Sequence, residues 1–424
     1  MVHTRKIISI LLIVTLFTGC IGLSVNAADN LLLPDYTMSK TEWDEYWKTV
    51  EGDNTQIALT PGTDATELNF NWHSERKVSV PMVKIADNEK MENAKLFLGY
   101  STLADNDQQT NRVKVTGLEE NMKYYYSYSL GKDNWSEPTF YITHATDSFK
   151  ALLVGDIQCS AVDDGTGYKD ATNWNTTLNT ALKKYPDTSF IISCGDQTQT
   201  GASATEWAAT LSPKAMRNLP MATTIGNHDH KGSTYQHYVN NPNSQLVSTS
   251  KTGTPYWFRY GDVLFVVFNT TNVNVFESHA LAERAILANP DAKWRVAVFH
   301  HDIYGTGHHA IDNDNYMLQG VYSAIMDKFE FDLAFDGHEH YYGRSYNMLN
   351  NEKVDIDYSS KKATDPDGTL YITTASASGK NRVYDEPYHH SWINYSYMSP
   401  ELIYCEVEFT ESTFNLKTYT VEGD

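Results

Sequence analysis

Five short apolar runs in this chain each stop abruptly at residues able to hold a cation. They end in "VGDIQ" (154–158), "CGDQ" (194–197), "IGNHD" (225–229), "VFHHD" (298–302) and "DGHEH" (336–340). Continuous apolar runs of this length read as strands buried on both faces. Helical periodicity separates them: in "TNWNTTLNTALKK" (172–184), Trp174, Leu178, Ala181 and Leu182 share one face. Such alternation demands a layered α/β domain, and ligands in such sheets bind beyond the carboxyl ends of the strands. A glycine before four of the five tips lets the chain turn sharply and come close to a ligand. One Gly–Asp alone is an ordinary turn; an ordered set at successive strand ends is not.

The rest of the chain is arranged around that domain, which the pattern places at residues 147–424. It continues through "VLFVVF" (263–268) and "TLYITTA" (369–375), and "LIYCEVEF" with "FNLKTY" reads as a closing hairpin. Polar stretches at 230–255 and 350–368 read as surface loops, and loops of that length are commonly functional. Residues 53–146 read as all-β: "ELNFNWHS" (67–74) alternates, and "NRVKVTGLEENMKYYYSYSL" (111–130) is two strands about a turn. Leu118, six residues before Tyr124, resembles the tyrosine-corner spacing of a fibronectin type III sandwich, with Trp72 as its core tryptophan. Residues 28–52 form a lead-in with a short amphipathic helix at "KTEWDEYWKTV" (40–50).

Arg5 and Lys6 followed by "IISILLIVTLF" (7–17) have the form of an export signal, taken here as residues 1–27. Two endings compete. "VNA" (25–27) is a cleavage site that releases a soluble protein, whereas "FTGC" (17–20) looks like a bacterial lipobox and would make Cys20 a lipid anchor. No later run approaches the ~20 apolar residues of a membrane span. The expectation is an exported protein, secreted or held at the cell surface. A net charge of −20 argues against a grip on nucleic acid, which needs a basic face. Cys159, Cys194 and Cys405 are too widely spaced for a disulfide framework and read as small core residues.

As a set, the tips resemble the motifs of the calcineurin-like metallophosphoesterases: GDx, GDxxY, GNH, a strand-end His and GHxH. The likeness is greatest to the purple acid phosphatase branch, whose fibronectin-like N-terminal domain "IALTPGTDATELNFNW" also resembles. This implies an N-terminal β-sandwich, a catalytic α-β-β-α sandwich, two metal ions (Fe, Mn or Zn) and a small phosphate ester as substrate. By that resemblance Asp156, Asp196 and His340 hold the first ion. Asp196 bridges to a second held by Asn227, His338 and His300. Two cations offset the cost of burying such a carboxylate. At "HHDIY" (300–304) the family's His-x-Pro-x-aromatic pattern favours His300, while a count from Val298 favours His301.

The chain departs from the family in two places. Where the purple branch has a tyrosine three residues after the bridging Asp, this chain has Gln199, so a purple ferric site is not expected. Where many relatives have Asp-x-His, Gln158 stands, either as an amide-oxygen ligand or as a hydrogen bonder behind one. A neutral oxygen donor suits Mn, Zn or Fe(II) at least as well as Fe(III). In the implied mechanism, cations ~3.5–4 Å apart acidify a bridging water and clamp the phosphoryl oxygens. His228 is the expected general acid, with Asp229 orienting it. His308 and His309 in "GTGHHA" (305–310) are expected substrate contacts, and Tyr342 and Arg344 match the family's Y-x-R tail as structural support.

Substrate choice would then lie in loops 230–255 and 305–316. A phosphodiesterase or nucleotide pyrophosphatase of the same superfamily is the main alternative to a phosphomonoesterase. A non-catalytic surface-binding protein would have lost ligands, and all six core ligand types are present. Serine hydrolase, P-loop NTPase and zincin readings have no motif in the chain.

Overall fold

The computed structural model describes residues 31–423 apart from 77–79, 106, 132, 163–164, 246–247 and 386–387. The expected export signal, its cleavage site and Cys20 fall outside the described residues.

Two stacked sheets form the larger unit. The first runs in the order Met221–Thr223, Thr188–Ser193, Ser148–Val154, Ile403–Thr410 and Phe414–Thr420. Its first three strands are parallel, and the expected C-terminal hairpin completes it antiparallel, beside Ser148–Val154. In the second sheet, Val263–Val267, Trp294–Val298, Leu333–Asp336 and Thr369–Thr373 are parallel neighbours, flanked by Tyr256–Tyr260 and Tyr342–Leu349.

Strand alternation explains the layers. Leu152, Val154 and Ile191 face a helical layer, while Ala151, Leu153, Phe190 and Ile192 face the other sheet. In the second sheet Phe265, Val267, Val296 and Phe335 point inward, and Leu264, Val266, Ala297 and Ala334 point to the opposite helices. The first sheet is covered by helices Tyr168–Lys184 and Ala204–Leu211, the second by Val275–Ala288 and Asn313–Phe329. Trp174, Leu178, Ala181 and Leu182 are all buried, as their spacing predicts. The lead-in helix Lys40–Val50 joins the first helical layer. Ser39 and Glu42 form a reciprocal cap at its start, and Trp43 donates from Nε1 to Thr172 Oγ1 at 2.7 Å. The cysteines Cys159, Cys194 and Cys405 pack into these cores.

The N-terminal unit is a second, all-β body. Ala58–Pro61, Glu67–Glu75, Gln108–Thr116 and Tyr100–Leu103 form one sheet; Lys95–Leu98, Met82–Ala86, Lys123–Gly131, Asn134–Trp135 and Thr139–Ile142 form the other. Phe70, Trp72, Val83, Val113, Val115 and Tyr126 fill the space between. The two strands expected in 111–130 belong to different sheets, so the turn carries the chain across the core. At that crossing Tyr124 Oη accepts from the Glu119 amide at 2.8 Å.

One expectation is corrected. The stretch 230–255 is not simply a surface loop: Tyr235, Tyr238 and Val239 are buried, and neighbouring carbonyls seat the N-terminal unit. Asn240 O accepts from Thr60 Oγ1 (3.0 Å) and Asn69 Nδ2 (2.7 Å), His237 O from Thr110 Oγ1 (2.7 Å), and Val239 O from Arg112 Nε (3.1 Å). The stretch reads as polar because its side chains are, and those of Thr234 and Asn240 join its carbonyls in the docking.

Candidate metal centre

Asp156, Asp196 and Asn227 follow three parallel strands of the first sheet; His300 and the His338/His340 pair follow two parallel strands of the second. The stacking of the sheets brings these strand ends to one rim. The backbone bends hard to deliver them: Asp156, Gln158, Asp196, His338 and His340 all have φ between 39 and 70°. Left-handed non-glycine residues cost of order 1–3 kcal/mol each and gather at functional sites. Two glycines make the approach possible. A Cβ on Gly226 would stand 2.0 Å from Asp196 Oδ1, and one on Gly195 2.5 Å from His300 Nδ1.

The centre has two halves. In one, His300 Nε2 lies 2.9 Å from Asn227 Oδ1 and 3.3 Å from Asp196 Oδ2, while its Nδ1 donates to Cys194 O at 2.9 Å. In the other, His340 Nε2 lies 3.4 Å from Asp156 Oδ1, its Nδ1 donates to Lys380 O at 2.7 Å, and the His338 amide donates to Asp156 Oδ2 at 2.9 Å. Each Nδ1 bond fixes its ring with Nε2 facing a carboxylate. Burial resists charge on Asp196 and His300, yet each draws the other toward its ionised form, Asp196 downward and His300 upward in pKa. Burial and four neighbouring imidazoles hold His338 far below the usual histidine range, which keeps its lone pair available.

These residues fit a metal. Candidate donor atoms of Asp156, Asp196 and His300 all lie within 4.8 Å of one another, wholly buried. Asp156 Oδ1 and Gln158 Oε1 are buried oxygens with no hydrogen-bond partner. Buried polar atoms are nearly always satisfied, so such oxygens beside carboxylates and imidazoles call for a cation. Gln199, standing where the purple branch has tyrosine, accepts from Gln158 Nε2 at 2.9 Å and so leaves the Gln158 amide oxygen as the free end.

The other expected residues separate in space. His228 stands at the centre: its amide donates to Asp196 Oδ1 at 2.8 Å, and its Nδ1 lies 2.8 Å from Gln199 O and 3.2 Å from Lys231 Nζ. Asp229 does not meet the His228 ring. It accepts from the amides of Gly226, Gln197 and Thr198 at 3.0–3.2 Å, tying two strand tips together. His301 turns aside to Thr270 Oγ1 at 2.8 Å, whereas His300 meets the carboxylate. His309 packs 4.4 Å from the His338 ring, and His308 is exposed.

Sequence reading missed Lys380, Arg382, Tyr384 and Glu339. Arg382 Nη1 lies 2.8 Å from His309 Nε2, and Tyr384 Oη donates to Glu339 Oε1 at 2.9 Å. No motif marks 380–384; only its place after the strand Thr369–Thr373 could have pointed there. A cavity of about 720 Å³ is lined by Tyr342, Arg344, Lys361, Tyr395 and Tyr419 among others and by none of the expected ligands.

Residues 149–342 match the calcineurin-like phosphoesterase family, and residues 54–143 match the purple acid phosphatase N-terminal domain. Residues 149–342 thus carry a calcineurin-like phosphoesterase domain behind a purple acid phosphatase N-terminal domain at 54–143, which indicates a metal-dependent phosphoester hydrolase. Among solved structures it is similar to the purple acid phosphatase PPD1 from yellow lupin (Lupinus luteus) seeds. That likeness has 16% identity and a TM-score of 0.68, over 87% of this chain and 72% of the lupin chain. It is also similar to PhoD, at 12% identity and a TM-score of 0.56, over 87% of this chain and 91% of PhoD. At such identities the likeness is one of fold. No curated protein matches the sequence.

Proposed function

We propose that the protein is an exported phosphatase that hydrolyses phosphomonoesters with two metal ions. The carrying observation is the convergence of Asp156, Asp196, Asn227, His300, His338 and His340 from five strand ends, with buried oxygens that lack hydrogen-bond partners. In this reading Asp156, Gln158, Asp196 and His340 hold one ion, and Asp196, Asn227, His300 and His338 the other. Bound there, the ions supply Lewis acidity toward water and the phosphoryl oxygens. Their identity is left to Fe, Mn or Zn.

The protein's own groups do the rest. His228 is the general acid. Its Nδ1–H donates to Gln199 O, so in the imidazolium the Nε2 proton is the one left for the leaving oxygen. Burial lowers the His228 pKa, which makes its imidazolium a readier donor. Asp229 contributes by holding the Asp196 and Asn227 tips in register. His309 faces the phosphoryl side and His308 the rim.

We divide the chain into an export signal (1–27), a lead-in (28–52), a fibronectin III-like sandwich (53–146) and the catalytic domain (147–424). The buried Trp72, the Tyr124 corner and the gap between strand ends Ile142 and Ser148 support the middle boundaries. Among the described residues no helix is long and apolar enough to cross a membrane.

The test is kcat/KM for an aryl phosphomonoester against the matching bis-aryl diester, on protein loaded in turn with Mn, Zn and Fe. A monoester preference supports the reading. A diester preference replaces it with the phosphodiesterase alternative, and silence on both favours a narrow-specificity enzyme or the surface-binding protein.

A further inference from the structure

The segment Lys380–Tyr384 is fastened to the metal centre by its backbone. Lys380 O accepts from His340 Nδ1 at 2.7 Å, and the Arg382 amide donates to His340 O at 3.0 Å. The side chains then spread along the rim. Arg382 Nη1 reaches His309 Nε2 at 2.8 Å and Tyr384 Oη at 3.3 Å, with Glu339 Oε1 at 3.8 Å. The guanidinium is thus held in place beside His309, whose ring packs 4.4 Å from that of His338. Lys380 differs: its half-buried ammonium has no hydrogen bond or ion pair among the described residues. It stands close enough to feel Asp196 and Asp156 as well as Arg382 and Lys231.

The charges around the centre do not balance. Two divalent ions with Lys231, Lys380 and Arg382 would carry seven positive charges, against the six carboxyls of Asp156, Asp196, Asp229, Asp302, Asp336 and Glu339. Of these cations Lys380 and Lys231 have no ion pair among the described residues, in a chain whose net charge is −20. A local cationic excess in an acidic protein is a preference for anionic ligands at that spot. It also discriminates by charge number: a diester phosphoryl carries one negative charge, and a monoester ≈ −1.5 to −2 near pH 7.

We propose that Lys380 and Arg382 form a dianion seat beside the metal ions, so that the site selects the doubly ionised phosphoryl group of a monoester over the singly ionised group of a diester. The proposal rests on the phosphatase reading and names the residues behind its substrate choice. The loops 230–255 and 305–316 contribute to it through Lys231 and through His309, which holds Arg382.

The test measures binding, so that it does not depend on turnover. Metal-loaded full-length protein, with metal content checked for every variant, is titrated by calorimetry with inorganic phosphate and with dimethyl phosphate at about pH 8, where the first is a dianion and the second a monoanion. The wild type should bind phosphate at least about tenfold more tightly. Lys380→Met and Arg382→Gln should each weaken phosphate about tenfold and dimethyl phosphate less than about threefold, and Lys380→Arg should restore the difference. Phosphate affinity within about twofold of wild type in both variants, or equal weakening of both probes, overturns the seat. Tight phosphate binding through these residues with neither ester hydrolysed sinks the phosphatase reading instead. Monoester turnover at wild-type kcat/KM in both variants sinks the seat alone.

Discussion

His300 and His73 are both buried imidazoles, one at the metal centre and one where the N-terminal unit meets the catalytic domain. His300 Nε2 faces Asn227 Oδ1 and Asp196 Oδ2, and carboxylates on that side raise its pKa. His73 sits edge-on to Tyr238 at 4.4 Å between ring centroids, with only Asn54 O at 3.1 Å for Nδ1; burial pushes its pKa down to about 4. One ring is arranged to share a positive charge, the other to stay neutral and pack. Residue type and burial are the same in both places. The neighbours decide, and only the first set leaves carboxylate and amide oxygens in want of a cation.

The comparison breaks most easily at the carboxylate that both halves of the centre are expected to share. Asp196→Ala should abolish bound metal at one position and lower kcat/KM by at least ~1,000-fold. Metal analysis and steady-state kinetics on the same preparation check it. Full turnover after this change would remove the centre from consideration. His228→Ala tests the other component: turnover should fall ~100- to 10,000-fold with metal content unchanged. Loss of metal along with activity would make His228 part of the ion's cage and not the proton donor.

The centre was more legible than the seam because its residues sit at strand ends. A strand buried on both faces is a plain apolar run, and parallel strands in stacked sheets put their ends at one rim, so Asp156, Asp196, Asn227 and the His338/His340 pair could be found by position. Gln158 could be located but not assigned. What fixes its oxygen is the Gln199 side chain, a contact across 41 residues that no local pattern encodes. Asp229 shows the same limit from the other side. Adjacency suggests service to His228, but the fold spends its carboxylate on the amides of Gln197 and Thr198. Lys380 and Arg382 escaped because they lie past the last motif, on a segment brought in by bonds to His340, His309 and Glu339 that no local pattern encodes. The seam hid in 230–255, where carbonyls bond and side-chain polarity misleads.

The seam should fail in a different manner. Arg112 is half-buried there, donating to Val239 O and Gln236 O. Arg112→Met should lower stability by about 2–3 kcal/mol, because two hydrogen bonds from a charged group are lost and their acceptors left dry. Urea unfolding measures it. Turnover per folded, metal-loaded molecule should stay within about twofold, since the change touches no strand end. A large loss of turnover at full occupancy would show that the seam and the centre are coupled.

The finest distinction between the two histidines is the sign of their pH dependence in metal-free protein. For His73, the folded pKa of about 4 lies below the ordinary histidine value of 6.5, so between those values the unfolded chain binds the extra proton. Its contribution is therefore complete above pH 6.5 and lost as pH falls toward 4, up to about 3 kcal/mol. For His300 the folded pKa is raised above 6.5, so its contribution is complete below that value and lost as pH rises past it. Urea unfolding of wild type and His73→Gln across this range should show the wild type's acid-side slope shallower by about one proton in the variant, while the alkaline side is unchanged. Asp196→Asn, which removes the carboxylate beside His300, should flatten the alkaline side and leave the acid slope of His73 intact. If both substitutions alter the same limb, the two imidazoles do not differ in the way their neighbours require.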